Sequence, residues 1–146
     1  MDTFFEISNS DDFIRVEALE FVKYNSDLDW DKNWVKSKIS LKIGVFRGQY
    51  NADFMTVDFK RFKEQLLVLY NQLNGGAMFY DLDNHLAIKI TGDGNGHLTV
   101  NIKASDEPGY GGELSFNLYI DQTYIMPLVK HLNNITEAFP IIGKLK

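Results

Sequence analysis

The stretch Trp34-Val35-Lys36-Ser37-Lys38-Ile39-Ser40-Leu41-Lys42-Ile43-Gly44-Val45 decides the fold class, because apolar and polar side chains alternate along it almost without a break. Val35, Ile39, Leu41, Ile43 and Val45 share one face, and Lys36, Lys38, Ser40 and Lys42 the other. A two-residue period is that of a strand with one face in the core and one in water, since successive side chains leave a strand on opposite sides. Upstream, Phe13 to Tyr24 predicts a second strand, with Ile14, Val16 and Ala18 set against Arg15 and Glu17; past Leu19 its register is lost. Downstream, Tyr50, Ala52 and Phe54 on alternate positions predict a third, with Gly48 at or near the intervening turn.

The period then changes. Phe59, Phe62, Leu66, Leu69 and Leu73 recur at three and four residues behind Asp58, an expected N-cap whose carboxylate can accept from first-turn amides. Asn74-Gly75-Gly76 supplies residues that tolerate the left-handed conformation at a helix end. Short strands are expected around Ala77 to Leu82 and Leu86 to Thr91. Gly92-Asp93-Gly94-Asn95-Gly96 predicts a hairpin into Leu98, Val100, Ile102 and Ala104, because Asn-Gly accepts the positive φ of hairpin turns. After the loop Asp106 to Gly112 comes an alternating strand through Leu114, Phe116, Leu118 and Ile120. Asp121 or Thr123 then caps a helix carrying Tyr124, Leu128, Leu132, Ile135 and Phe139, with Pro127 in its first turn and Pro140 ending it. The sum is an α+β fold: a mainly antiparallel sheet of about six to seven strands with two amphipathic helices on one face.

At 146 residues the chain fits one domain spanning positions 1–146, and 45% hydrophobic residues suffice for a packed core. No internal repeat or low-complexity linker divides it. Cysteine is absent, which excludes disulfides, thiolate nucleophiles and thiolate metal sites, and suits a reducing cytoplasm. The N-terminus lacks the basic flank and apolar run of a signal peptide, and no apolar stretch approaches membrane-spanning length. A net charge of −5 disfavours nucleic-acid phosphate as a partner. Charge is also segregated: residues 1–31 hold nine acids against Arg15 and Lys23, while residues 32–63 hold eight bases against Asp53 and Asp58. The lysine stripe on the Trp34–Val45 strand is either neutralised by acids of the neighbouring strand or an interaction surface.

Motifs for chemistry are weak. Asp27-Leu28-Asp29-Trp30-Asp31-Lys32-Asn33-Trp34 begins like a calcium loop, but Lys32 stands where such a loop needs glycine and Lys38 where it needs glutamate. Trp30 and Trp34 are expected as core or sheet-covering residues. His85, His97 and His131 lack metalloprotease spacing; His85 and His97 flank one hairpin, where a register could bring them together. An enzyme would need one of these histidines within hydrogen-bond reach of a carboxylate in a cleft. A small-ligand or protein-binding domain would instead show a broad apolar pocket between sheet and helices. No cofactor and no metal are expected.

Read together, Asp29-Trp30-Asp31-Lys32-Asn33-Trp34 before a strand, Gly44-Val45-Phe46-Arg47-Gly48 at its end, Asp121-Gln122-Thr123-Tyr124 opening the last helix and Ala138-Phe139-Pro140 closing it resemble the WapI family of bacterial immunity proteins. The resemblance covers nearly the whole chain, to Pro140, with Val35 in place of the family's usual leucine and Ile141-Ile142-Gly143 in place of a more polar ending. It assigns structural roles to Trp30, Asn33, Trp34, Gly48, Asp121, Gln122, Tyr124, Phe139 and Pro140. It implies a cytosolic antidote that neutralises the toxic C-terminal domain of a delivered toxin, without catalysis. Local clustering beside aromatics nominates Asp27, Asp29, Asp31, Asp106 and Glu107 as contacts for that protein partner.

Overall fold

Alternation along the chain builds two antiparallel meanders, each running into a helix. In the computed structural model, which describes residues 2–144, β1 (Phe4–Asn9), β2 (Asp12–Phe21), β3 (Trp34–Ile43) and β4 (Phe46–Met55) form one four-stranded sheet in chain order. Helix α1 (Thr56–Gln72) leads to the second sheet, β5 (Asn74–Tyr80), β6 (Leu86–Asp93), β7 (His97–Ser105) and β8 (Glu113–Asp121), and α2 (Ile125–Ala138) follows. Short 3-10 turns precede β3 (Trp30–Asn33) and α2 (Gln122–Tyr124). The element order of the first half recurs in the second, although no repeat is legible in the residues. Each helix packs on the first strand of the other half, α1 on β5 and α2 on β1, and the helices pack on each other.

Two sheets of four strands replace the expected single sheet of about six to seven, because α1 interrupts the run of paired neighbours after β4. The strand absent from the sequence reading is β1, whose buried Phe5 and Ile7 lie opposite Val16 and Ile14. Val45 does not join the buried face of β3: with Gly44 at φ 60 it forms the hairpin turn and is 90% exposed. The turn therefore falls before Gly48, which sits inside β4 opposite Leu41, where a Cβ would meet that side chain at an ordinary contact distance of 3.5 Å. The register lost past Leu19 has a cause in a bulge between Ala18 and Glu20. Helix α1 starts at Thr56, so Asp58 occupies its third position and its carboxylate accepts from the Met55 amide at 2.9 Å. Leu73, not Asn74, takes the left-handed conformation at the helix end. Asp121 caps the last helical segment, accepting from the Thr123 amide at 2.9 Å.

The core is one cluster drawing on both sheets and both helices. Phe79 of β5 stands at its centre, its ring 5.0 Å from Phe54, 5.5 Å from Phe59, 5.6 Å from Phe5 and 5.9 Å from Phe62. Fully burying one such side chain stabilises by about 3 kcal/mol, so this aromatic knot fastens β5 to β1, β4 and α1. On the wet face of the first sheet, Lys36 lies 3.8 Å from Glu20, Lys38 lies opposite Glu17, and Lys42 lies 3.5 Å from Asp12. The lysine stripe is thus neutralised locally, each exposed pair contributing at most about 1 kcal/mol.

Candidate partner-binding surface

Between β2 and β3 the chain makes an acidic, aromatic loop. Asp31 accepts from the Ser26 hydroxyl at 2.7 Å, and Ser26 Oγ accepts from the Leu28 amide at 3.1 Å, which orders the run-in to the 3-10 turn. The Asp29 carboxylate reaches Lys32 at 3.9 Å and accepts from the Lys144 amide at 3.2 Å. It packs so closely on Gly143, at φ 68, that a Cβ there would collide with it. Asp27 is exposed. The inward seat of the segment belongs to Asn33, which is fully buried. Its amide nitrogen donates to the carbonyls of Asp29 (2.6 Å) and Ile142 (2.9 Å), while its oxygen accepts from the Thr56 hydroxyl (2.7 Å) and the Ile142 amide (2.8 Å). Trp34 is half-buried opposite Met55. Trp30, expected as a core or sheet-covering residue, is 41% exposed and lies outside the core, and Tyr24 and Leu28 of the same loop are exposed at 49% and 66%.

The second acidic segment, between β7 and β8, braces itself. Asp106 Oδ1 accepts from the amides of Glu107 (2.7 Å) and Gly112 (2.8 Å), and the Glu107 carbonyl accepts from those of Tyr110 and Gly111. Glu107 and Tyr110 project into water. Asp106 lines a groove of about 290 Å³ shared with Leu41, Phe46, Tyr50 and Leu114. Trp34 and Leu41 are separated by seven steps of β3, or roughly 23 Å at strand rise. The structure therefore sets Asp27, Asp29 and Asp31 at one end of the first sheet and Asp106 and Glu107 at the other.

The remaining motif residues hold elements together. Asp121 also accepts from the Thr123 hydroxyl. The Gln122 amide donates to the Gly96 carbonyl at 2.8 Å, and its side chain covers Gly96, at φ 97, so that a Cβ there would lie 2.7 Å from Gln122 Oε1. The Tyr124 hydroxyl accepts from the Ser8 amide at 2.9 Å and donates to the Glu6 carbonyl at 3.1 Å, occupying the outer edge of β1 as a neighbouring strand would. Phe139 packs edge-on against Phe21 at 5.2 Å, and Pro140 follows where α2 has ended.

Two histidines do reach carboxylates, in settings that brace turns. His85 Nδ1 lies 3.0 Å from Asp81, whose oxygens also accept from the His85 and Leu86 amides. His97 lies 2.9 Å from Asp93 on an exposed hairpin turn. The two histidines sit at opposite ends of the β6–β7 ladder, so no register brings them together. His131 stacks on Phe4. Hydrogen bonds, led by the Asn95 amide, hold the Asp93 carboxyl below the usual range, and the Thr123 hydroxyl does the same for Asp121. Burial pushes Asp58 up to about 6 against the opposing Met55 amide and Arg61. Among the described residues no three His, Asp or Glu side chains form a metal-binding group. A second groove, of about 590 Å³, lies along the second sheet and is lined by Tyr80, Leu86, Ala87 and Lys103. Among the described residues no helix is long and apolar enough to cross a membrane.

Comparison with known proteins bears on this arrangement. No curated protein matches the sequence. Among solved structures, that of the plant transcriptional regulator PBF-2 superposes with a TM-score of 0.54 at 12% identity, covering 95% of this chain and 82% of that one, a likeness of fold alone. A sequence profile described as the immunity protein WapI-like family matches residues 4–140. That match runs from the first residue of β1 to the proline after α2, and the chain belongs to the WapI-like immunity protein family.

Proposed function

We propose that this protein is a cytoplasmic antidote that binds, stoichiometrically and without catalysis, the toxic C-terminal domain of a bacterial contact-dependent toxin, and that this domain is a nuclease. The observation that carries the proposal is the family match over residues 4–140. Surface chemistry supports it. Tyr24, Leu28 and Trp30 present apolar area beside Asp27, Asp29 and Asp31, a combination of anchor and charge suited to a basic partner. A nuclease needs a positive groove for its substrate, and an acidic loop competes for that groove while steering the encounter. Asp29, Asp31 and Asp106 spend part of their hydrogen-bonding capacity on their own chain, so Asp27 and Glu107 carry more of the steering. A standard interface of about 800 Å² per partner is roughly 30 Å across, enough to span both acidic segments.

The deciding experiment mixes the protein with the toxin domain encoded beside it, measures binding by calorimetry, and follows cleavage of the target RNA. One-to-one binding with protection of the RNA is expected. Absence of binding to that domain would sink the proposal.

A further inference from the structure

Side chains close several sheet edges: the Tyr124 hydroxyl covers β1, Gln65 Oε1 accepts from the Met78 amide of β5 at 2.8 Å, and Asp58 takes the Met55 amide at the end of β4. The rest of β4 is open. The Met55 amide leaves the strand on the side away from β3, and by the two-residue period so do the amides and carbonyls of Arg47, Gln49, Asn51 and Asp53. Among the described residues none of these groups has a backbone partner on that side. The groove beside them is lined by Phe46 to Tyr50 on one side and by Ala104, Asp106, Gly112, Glu113 and Leu114 of the second half on the other, while Arg47, Gln49 and Asn51 themselves remain exposed. An open edge of this length is a template for another strand.

The side chains along this edge select the occupant. Arg47, Gln49, Asn51 and Asp53 share the face opposite buried Ala52 and Phe54. If two copies of β4 pair antiparallel about a two-fold axis at Tyr50, Arg47 of each copy faces Asp53 of the other, and Gln49 faces Asn51. Sliding the pairing by two residues either way sets Arg47 opposite Asn51 or Met55 and loses both ion pairs. Within one chain Arg47 lies opposite Lys42, whose own acid is Asp12, so no ion pair within the chain holds Arg47 among the described residues. A self-complementary strip is what an isologous two-fold contact requires. We propose that the protein forms a two-fold homodimer through β4, joining the two first sheets into one eight-stranded sheet with reciprocal Arg47–Asp53 and Gln49–Asn51 pairs.

Sedimentation velocity over a concentration series tests this. The weight-average mass of the wild-type chain is expected to climb from 16.8 kDa toward twice that value. R47D alone puts acid against acid across the axis, and D53R alone puts base against base, so each variant should stay at the monomer mass. Mixed together they restore both ion pairs, and the mixture should recover the wild-type mass. N51P removes one outward amide donor without touching any charge, and should also be monomeric; circular dichroism confirms that each variant is folded. A wild-type chain that stays at 16.8 kDa throughout, single charge variants that associate as the wild type does, or a mixture that stays monomeric would each overturn the proposal. A wild-type monomer whose binding to the toxin domain is lost in N51P would give this edge to the toxin and likewise exclude a second copy.

Discussion

Replacing Asn33 by alanine tests the clasp between the 3-10 turn, α1 and the C-terminal segment. The side chain makes four hydrogen bonds, two donated and two accepted. At a net contribution of about 1 kcal/mol each, their loss totals roughly 4 kcal/mol. Water recovers part of this at Asp29 and Ile142, which are half-buried, but not at the Thr56 hydroxyl, which is 1% exposed. The expected cost of N33A is therefore about 3 kcal/mol, a large share of the 5–15 kcal/mol typical of a domain. Asn33→Asp should cost at least as much, since it turns a carboxylate oxygen toward two carbonyls. Thr56→Val removes one of the four bonds, so it should cost about 1 kcal/mol and the double variant should fall short of the sum by a similar amount. Urea denaturation of the three variants and the double measures all of this. A cost for N33A below about 1 kcal/mol, or strict additivity with T56V, would refute the reasoning.

Three further outcomes are expected. Asp58 has a folded pKa raised to about 6 from an ordinary 3.8, so the unfolded chain ionises first; stability falls as pH rises from about 4 to 6, by up to about 3 kcal/mol, and D58N, which keeps an acceptor for the Met55 amide, should flatten that slope in denaturation curves. Tyr124→Phe removes the hydroxyl from the edge of β1, costing about 1–2 kcal/mol and speeding hydrogen exchange at the Ser8 amide without changing the fold. Reversing Asp27 and Glu107 to lysine should slow association with a basic toxin domain about tenfold or more at low salt and much less at high salt, as stopped-flow mixing would record; an unchanged rate would remove these two acids from the interface.

Much of the fold was legible because alternation reports burial directly. Val35, Ile39 and Leu41 are buried as their spacing predicts, and the helix through Phe59, Phe62, Leu66 and Leu69 buries that stripe. Val45 misled because its parity and β-branched side chain match a strand, whereas the backbone at Gly44 had already turned. In β1 the adjacent pair Phe4-Phe5 blurs the alternation that Phe5 and Ile7 carry. The division into two sheets was hidden because alternation fixes faces without saying where a meander breaks. At the candidate surface, composition marked the acids, yet not their engagements: Asp29 meets Lys144, and Asn33 meets Ile142, across most of the chain's length.

The meander topology has a kinetic corollary. Every ladder joins strands adjacent in sequence, and none crosses from one sheet to the other. Each sheet can therefore zip from its own hairpins at small loop-closure cost. The search that remains is the docking of two halves, for which the aromatic knot around Phe79 is the seam. A chain cut between α1 and β5 would sever no ladder, so its two fragments are natural candidates for complementation, with reassembly of the seam as the step that limits recovery.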